Sequence, residues 1–166
     1  MRSPEPTVRP IEPSDVPAVV GLVHELAEYE RAAHECTLTN EKLHAALFGP
    51  HPALFGHVAD LSSEIVGCAL WFLNFSTWRG VHGIYIEDLY VQPAHRGNGL
   101  GRTLLRELAA ECNRRGYARL EWAVLEWNEP AIGFYSSLGA KAQDEWRIFR
   151  LSDGPLVKLG EAGARL

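Results

Sequence analysis

One stretch constrains this chain more than any other. It runs from Tyr85 to Arg102 and reads Tyr-Ile-Glu-Asp-Leu-Tyr-Val-Gln-Pro-Ala-His-Arg-Gly-Asn-Gly-Leu-Gly-Arg. Its first half has the character of a strand. Ile84, Ile86, Leu89 and Val91 are apolar, and β-branched and aromatic residues dominate. Pro93 ends the strand, because it has no N–H to give to a ladder. Gly97, Gly99 and Gly101 follow, and then Leu104, Leu105, Leu108 and Cys112 recur at helical spacing. Glycines just ahead of a helix let the backbone bend until several free N–H groups converge. The helix dipole adds to them, and the result is a socket for phosphate. Arg96 and Arg102 place positive charge at its rim.

Several known devices share this outline. A P-loop is excluded, since no Lys-Ser or Lys-Thr follows the last glycine. The dinucleotide fingerprint Gly-x-Gly-x-x-Gly needs its third glycine one residue later. Glu121 does stand where that fold places its ribose acid, so a dinucleotide oxidoreductase stays open as a lesser alternative, as does a plain glycine turn.

The length of 166 residues fits one domain, expected over residues 8–160 after a disordered tail at 1–7. Hydrophobic residues make up 46%, enough for a real core. A net charge of −5 argues against nucleic acid and mildly favours cationic ligands. Cys36, Cys68 and Cys112 are odd in number and widely spaced, which suggests reduced thiols in a cytoplasmic protein. No apolar run has membrane length, and Met1 to Pro6 does not read as a signal peptide. His24-Glu25-Leu26-Ala27-Glu28 ends in Glu where a zinc-protease helix needs a second His, so no metal site is expected.

Along the chain, Val8 to Ile11 reads as a strand. Ser14 or Asp15 caps a helix that turns Val16, Val19, Val20, Val23, Leu26 and Ala27 inward and delivers Tyr29 and Glu30 at its end. Thr39 caps a second helix. Phe55 to Ala59 and Ile65 to Leu73 read as strands around a turn at Asp60 to Glu64. Arg119 to Leu125 reads as the strand after the glycine-loop helix. Asn128 caps a short helix with Ala131, Phe134, Tyr135 and Leu138 on one face. Glu145 to Leu151, then Pro155 to Leu159, read as strands. Short early connections suit antiparallel pairing and helical crossovers suit parallel pairing. The expected fold is therefore α/β or α+β, with a mixed, mostly antiparallel sheet between helices.

Val91-Gln92-Pro93 with Arg96-Gly97-Asn98-Gly99-Leu100-Gly101 resembles the acetyl-CoA pyrophosphate loop of the GCN5-related N-acetyltransferases (GNAT). Tyr29-Glu30, Glu87-Asp88 and the run from Glu126 to Tyr135 resemble the diamine acetyltransferases within it, the spermidine/spermine and thialysine enzymes. The resemblance extends from about Val8 to Leu151. It implies acetyl-CoA as co-substrate, a small primary amine as acceptor, direct attack within a ternary complex, and a homodimer. It also implies that two parallel strands splay to admit the pantetheine arm. Relatives acting on protein N-termini or antibiotics, and a CoA-binding regulatory module, are the alternatives within that fold.

Acetyl transfer needs an unprotonated amine, and an ordinary aliphatic amine has a pKa of about 10.4. Glu87 is the candidate base, acting through a water by family analogy. Asp88 is expected on the opposite face of the strand. Backbone groups of Leu89, Tyr90 and Val91 are expected to hold the thioester, and Arg96, Gly97, Asn98, Gly99, Leu100, Gly101 and Arg102 the diphosphate. Asn128, Pro130 and Ala131 are expected along the pantetheine arm. Tyr135, a phenol that stays protonated at neutral pH, is the candidate acid for the leaving sulfur. Tyr29, Glu30, Glu87, Asp88, Asp144, Glu145 and Trp146 are expected to form an acidic, aromatic acceptor site. Arg31-Ala32-Ala33-His34 departs from the more acidic stretch of the polyamine enzymes, which leaves lysine-like amino acids open as acceptors.

Overall fold

A computed structural model describes residues 6–162. The chain divides into two compact units, the first ending at Leu125 and the second beginning at Glu126. The first contains β1 (Thr7–Pro10), α1 (Val16–Tyr29), α2 (Asn40–Phe48), β2 (Phe55–Leu61), β3 (Glu64–Ser76), β4 (Val81–Val91), α3 (Leu100–Arg115) and β5 (Leu120–Trp122). The five strands form one sheet in chain order. The first three pairings are antiparallel and β4–β5 is parallel; the short turns of β2–β3 and β3–β4 and the helical crossover of β4–β5 suit this, while β1 reaches β2 only after α1 and α2. Of the expected tail, residues 1–5 lie outside the described residues, and Thr7 already belongs to β1.

Local chemistry sets these elements. Ser62 and Ser63 take φ of 55° and 72°, and Asp60 Oδ1 accepts from the Ser63 N–H at 2.7 Å. Such a left-handed pair matches the twist of a tight hairpin, here β2–β3. Thr39 caps α2 as expected, accepting from the Lys42 N–H at 3.2 Å. At α1 the expectation needs correction: no side chain caps the helix. The Asp15 carboxylate instead accepts from the Glu12 N–H at 2.8 Å and from Arg9 at 2.7 Å. Arg9 also reaches Asp60 at 3.0 Å. One guanidinium therefore ties β1 to the start of α1 and to β2.

The sheet has two covered faces. On one, Val58, Cys68, Leu70 and Tyr90 pack with Val16, Val19 and Leu22 of α1 and Leu43 and Leu47 of α2. Leu22, absent from the expected inward set, is buried with Val16 and Val19, while Val20, Val23 and Leu26 of that set are partly buried against the same core. Against the other face lies α3, with Leu104, Leu105, Leu108 and Cys112 all buried. Each fully buried leucine contributes about 1.5–3 kcal/mol.

Strand β4 carries an irregularity that matters for the site. Trp71 pairs with Ile86, but the next β3 partner, Leu70, pairs with Asp88. Glu87 is thus an extra residue, a β-bulge. The bulge is written in the spacing 84, 86, 89, 91 of the apolar residues, which takes a step of three in the middle. Parallel pairing of β4 with β5 runs only from Ile84–Leu120 to Ile86–Trp122 and stops where the bulge begins. The strand expected over 119–125 is therefore three residues long, because beyond Trp122 no ladder partner continues it among the described residues.

The second unit contains α4 (Glu129–Ser137) and α5 (Asp153–Ala162). Asn128 caps α4, accepting from the Ala131 N–H at 3.4 Å. Ala131, Phe134, Tyr135 and Leu138 form its half-buried face. Two strand expectations fail here. Residues 145–151 alternate like a strand but are irregular and exposed, with Phe149 94% accessible. A strand needs a ladder partner to be stable, and none is paired to this segment among the described residues. Residues 155–159 are helical within α5. Pro155 sits in the first turn, where its missing N–H costs nothing, and Asp153 favours the helix start. No helix among the described residues is long and apolar enough to cross a membrane.

Candidate active site

The end of α1, the bulge of β4 and the start of α3 converge on one region of the first unit. Tyr29 is the last residue of α1 and Glu30 its C-cap. Asp88, on the α1 face by its pairing with Leu70, is pushed up to a pKa of about 6 by burial and by the charges of Glu87 and Glu30. Burial also raises Glu30. Alternation, which would put Glu87 and Asp88 on opposite faces, does not hold across the bulge, and the exposed Glu87 acts electrostatically on Asp88. Three carboxyls therefore share one acidic site.

Directly after it, Leu89, Tyr90 and Val91 finish β4, and Pro93–His95 forms a single 3-10 turn. Gly97 and Gly99 follow at φ of 81° and 79°, a backbone region that costs other residues about 1–2 kcal/mol. A Cβ at either glycine would meet nothing within 4 Å. The conformation, and not crowding, asks for glycine, and the space in front of the loop is open. Gly99 is the N-cap of α3, so the N–H groups of Leu100, Gly101 and Arg102 have no carbonyl one turn back. With Asn98 and Gly97 they form a turn whose donors and dipole suit an anion. The residues present thus fit a diphosphate.

Residues 20–140 match the acetyltransferase (GNAT) family. The chain belongs to that family. A thialysine N-epsilon-acetyltransferase from Bos taurus is 34% identical over 92% of this chain and 95% of its own length. An L-ornithine N5-acetyltransferase from Arabidopsis thaliana is 28% identical over 90% of this chain and 85% of its own. Among solved structures, an integron cassette protein from the mobile metagenome of V. cholerae superposes with a TM-score of 0.80 at 24% identity, covering 97% of this chain and 99% of that one. The last likeness shows the GNAT fold. The protein is an N-acetyltransferase that transfers acetyl to an amine, and acetyl-CoA is the co-substrate of the GNAT family.

The remaining expected residues fall in the second unit. Asn128, Pro130, Ala131 and Tyr135 share α4. Asp144, Glu145 and Trp146 lie in the exposed segment after it, with Trp146 72% accessible. Glu121, the acid that kept the dinucleotide reading open, is engaged elsewhere: it pairs with Arg119 at 2.7 Å and accepts from Asn74 at 2.8 Å. Sequence reasoning missed one residue packed into this region, Glu25. Glu25 accepts from the Gln92 amide at 3.1 Å and from the Tyr90 hydroxyl. Its signal was its place one turn before Tyr29 on the same helix face. Among the described residues no group of three His, Cys, Asp or Glu side chains is gathered for a metal.

Proposed function

We propose that this enzyme acetylates a primary amine of a small cationic substrate, the side-chain amine of a thialysine- or ornithine-like amino acid or one end of a diamine. The observation that carries this reading is the acidic site of Glu30, Glu87 and Asp88 immediately ahead of the anion-binding turn. An acidic pocket attracts ammonium groups, and the names of the thialysine and ornithine relatives point the same way.

Acetyl-CoA supplies the thioester carbonyl when bound. The N–H groups from Gly97 to Arg102 hold its diphosphate, and Leu89, Tyr90 and Val91 line the acyl end through their backbone. The short β4–β5 pairing leaves room for the pantetheine arm beyond Ile86, with Asn128, Pro130 and Ala131 contributing from α4. Glu87 accepts the amine proton through a water. The phenol of Tyr135 holds the proton that the leaving sulfur takes. Glu30, Asp88 and Tyr29 bind the cationic acceptor, and Asp144, Glu145 and Trp146 of the second unit are assigned to the same substrate.

A panel of spermidine, putrescine, lysine, ornithine and thialysine, incubated with acetyl-CoA and followed by free-thiol release, tests the reading. Turnover on one or more is expected, and none on any would overturn it. Tyr135→Phe should lower kcat by about 10²–10⁴-fold while leaving acetyl-CoA affinity within about threefold, as measured by titration. A pH-independent kcat equal to wild type would remove Tyr135 from the mechanism.

The enzyme works as a homodimer in the cytoplasm on this reading. Trp146, Ile148 and Phe149 are 72%, 77% and 94% exposed, apolar surface of the kind that a second copy covers. The three cysteines are free, as suits a reducing compartment. Sedimentation of the wild type against Phe149→Glu decides the first point: the variant should be monomeric.

A further inference from the structure

Arg96 opens the glycine loop, yet its side chain is spent on the other side of the site. Its Nε donates to the Val91 carbonyl at 2.7 Å. Its guanidinium carbon stands 5.4 Å from the centroid of the Tyr29 ring and 5.3 Å from that of Tyr90. It also donates to the Tyr90 hydroxyl, which in turn donates to Glu25, and Glu25 holds Gln92. The guanidinium is thus wedged between two aromatic faces, with its charge balanced by Glu25 one hydrogen bond away. A cation over a ring gains energy from the face of that ring. The ring of Tyr29, 39% exposed at the end of α1, is thereby braced on one side.

We propose that Arg96 is a positioning residue of the amine side of the site. It fixes the ring of Tyr29 for the acceptor and couples the order of that ring to the order of the glycine loop, while backbone amides and Arg102 carry the diphosphate. The inference rests on the reading of Tyr29 as an acceptor contact and of Gly97 to Arg102 as the anion turn. It has a directional consequence. A bound diphosphate that orders the loop also orders Tyr29, so the amine binds better to the acetyl-CoA complex than to the free enzyme.

The test uses the full-length enzyme and the amine from the panel with the highest turnover. If the wild type turns over no amine, the functional reading itself fails and Arg96 is not at issue. Given turnover, Arg96→Met should raise the KM of the amine about five- to thirtyfold, the size of a partly desolvated cation–π contact. The Kd of acetyl-CoA, read by titration, should move by less than about threefold. Tyr29→Leu should shift the amine KM by a similar factor, and the double variant should add little to either, since both remove one contact. Arg96→Lys should recover part of the loss, a rescue that a mere packing role would not give. A rise in the acetyl-CoA Kd as large as that in the amine KM overturns the inference, and so does additivity in the double variant. Should Arg96→Met not fold by circular dichroism, Arg96→Lys and Tyr29→Leu decide by the same split between amine KM and acetyl-CoA Kd.

Discussion

At the scale of the residue, Asp88 carries the sharpest expectation. With its pKa held up at about 6, it is neutral below that pH and charged above it. Capture of an ammonium should therefore improve as pH rises through about 6, giving kcat/KM an acidic limb there. The three carboxyls are coupled, so the limb belongs to the group of them. Asp88→Asn should remove it and lower the plateau, and a retained limb would assign it elsewhere. The same shift acts on stability with opposite sign. A carboxyl whose folded pKa exceeds its unfolded value of about 3.9 favours folding when protonated, and that advantage is lost as pH climbs from about 4 to 6. The Asn variant should accordingly gain in urea midpoint relative to wild type above pH 6. Glu87 and Asp88 stood out in the sequence because they lie a few residues ahead of the glycines, and Tyr29 and Glu30 stood out through the resemblance to the diamine acetyltransferases. Glu25 did not stand out, because its place one turn before Tyr29 is common to many helix glutamates and its partners Tyr90 and Gln92 are both more than sixty positions away.

At the scale of the element, the glycine loop was legible almost whole. Three glycines before a leucine-spaced run have few other uses, and the loop and α3 stand where that pattern predicts. Gly99→Ala should weaken acetyl-CoA about tenfold by titration, because φ of 79° costs alanine about 1–2 kcal/mol and the turn relaxes away from the anion geometry. Gly80→Ala, at φ of 67° in the β3–β4 turn, bears similar strain and should leave that affinity unchanged. Equal affinities in wild type and Gly99→Ala would detach the loop from the diphosphate. Strand lengths were less legible. Residues 119–125 alternate as a strand throughout, but a strand's extent is set by its neighbour, and β4 turns aside at Glu87. For residues 145–151 the pattern was present and the partner was not, and period alone cannot supply a ladder. In α5, Leu156, Val157 and Leu159 favoured a strand by composition, while Pro155 near the start marked a helix's first turn.

At the scale of the molecule, the order of strands and the two covered faces followed from connection lengths and periodicity, and the tie that closes the first unit did not. Arg9 binds Asp15 and Asp60 across β1, α1 and β2, a pairing between residues that no local pattern links. Arg9 depresses the pKa of Asp15 by hydrogen bond and charge. Its stabilisation is therefore complete above the unfolded value of about 3.9 and is lost as pH falls through the lower folded value. Asp15→Asn should cost about 1–3 kcal/mol at neutral pH and flatten the acid end of the stability profile measured by urea unfolding. An unchanged acid end would deny Arg9 that role. The extra residue in β4 reaches just as far. Ahead of it, even-numbered side chains feed the layer beneath α3, and after it odd-numbered ones do. Drawing that single position into the regular ladder would turn Leu89 and Val91 toward α1 and send Asp88 and Tyr90 under α3, so both interiors would scramble together, whereas excising it would leave every face as it is and remove only the bulge and the carboxylate of Glu87. Both interiors thus depend on position 87 staying outside the ladder, where it adds a carboxylate to the site without moving a core side chain.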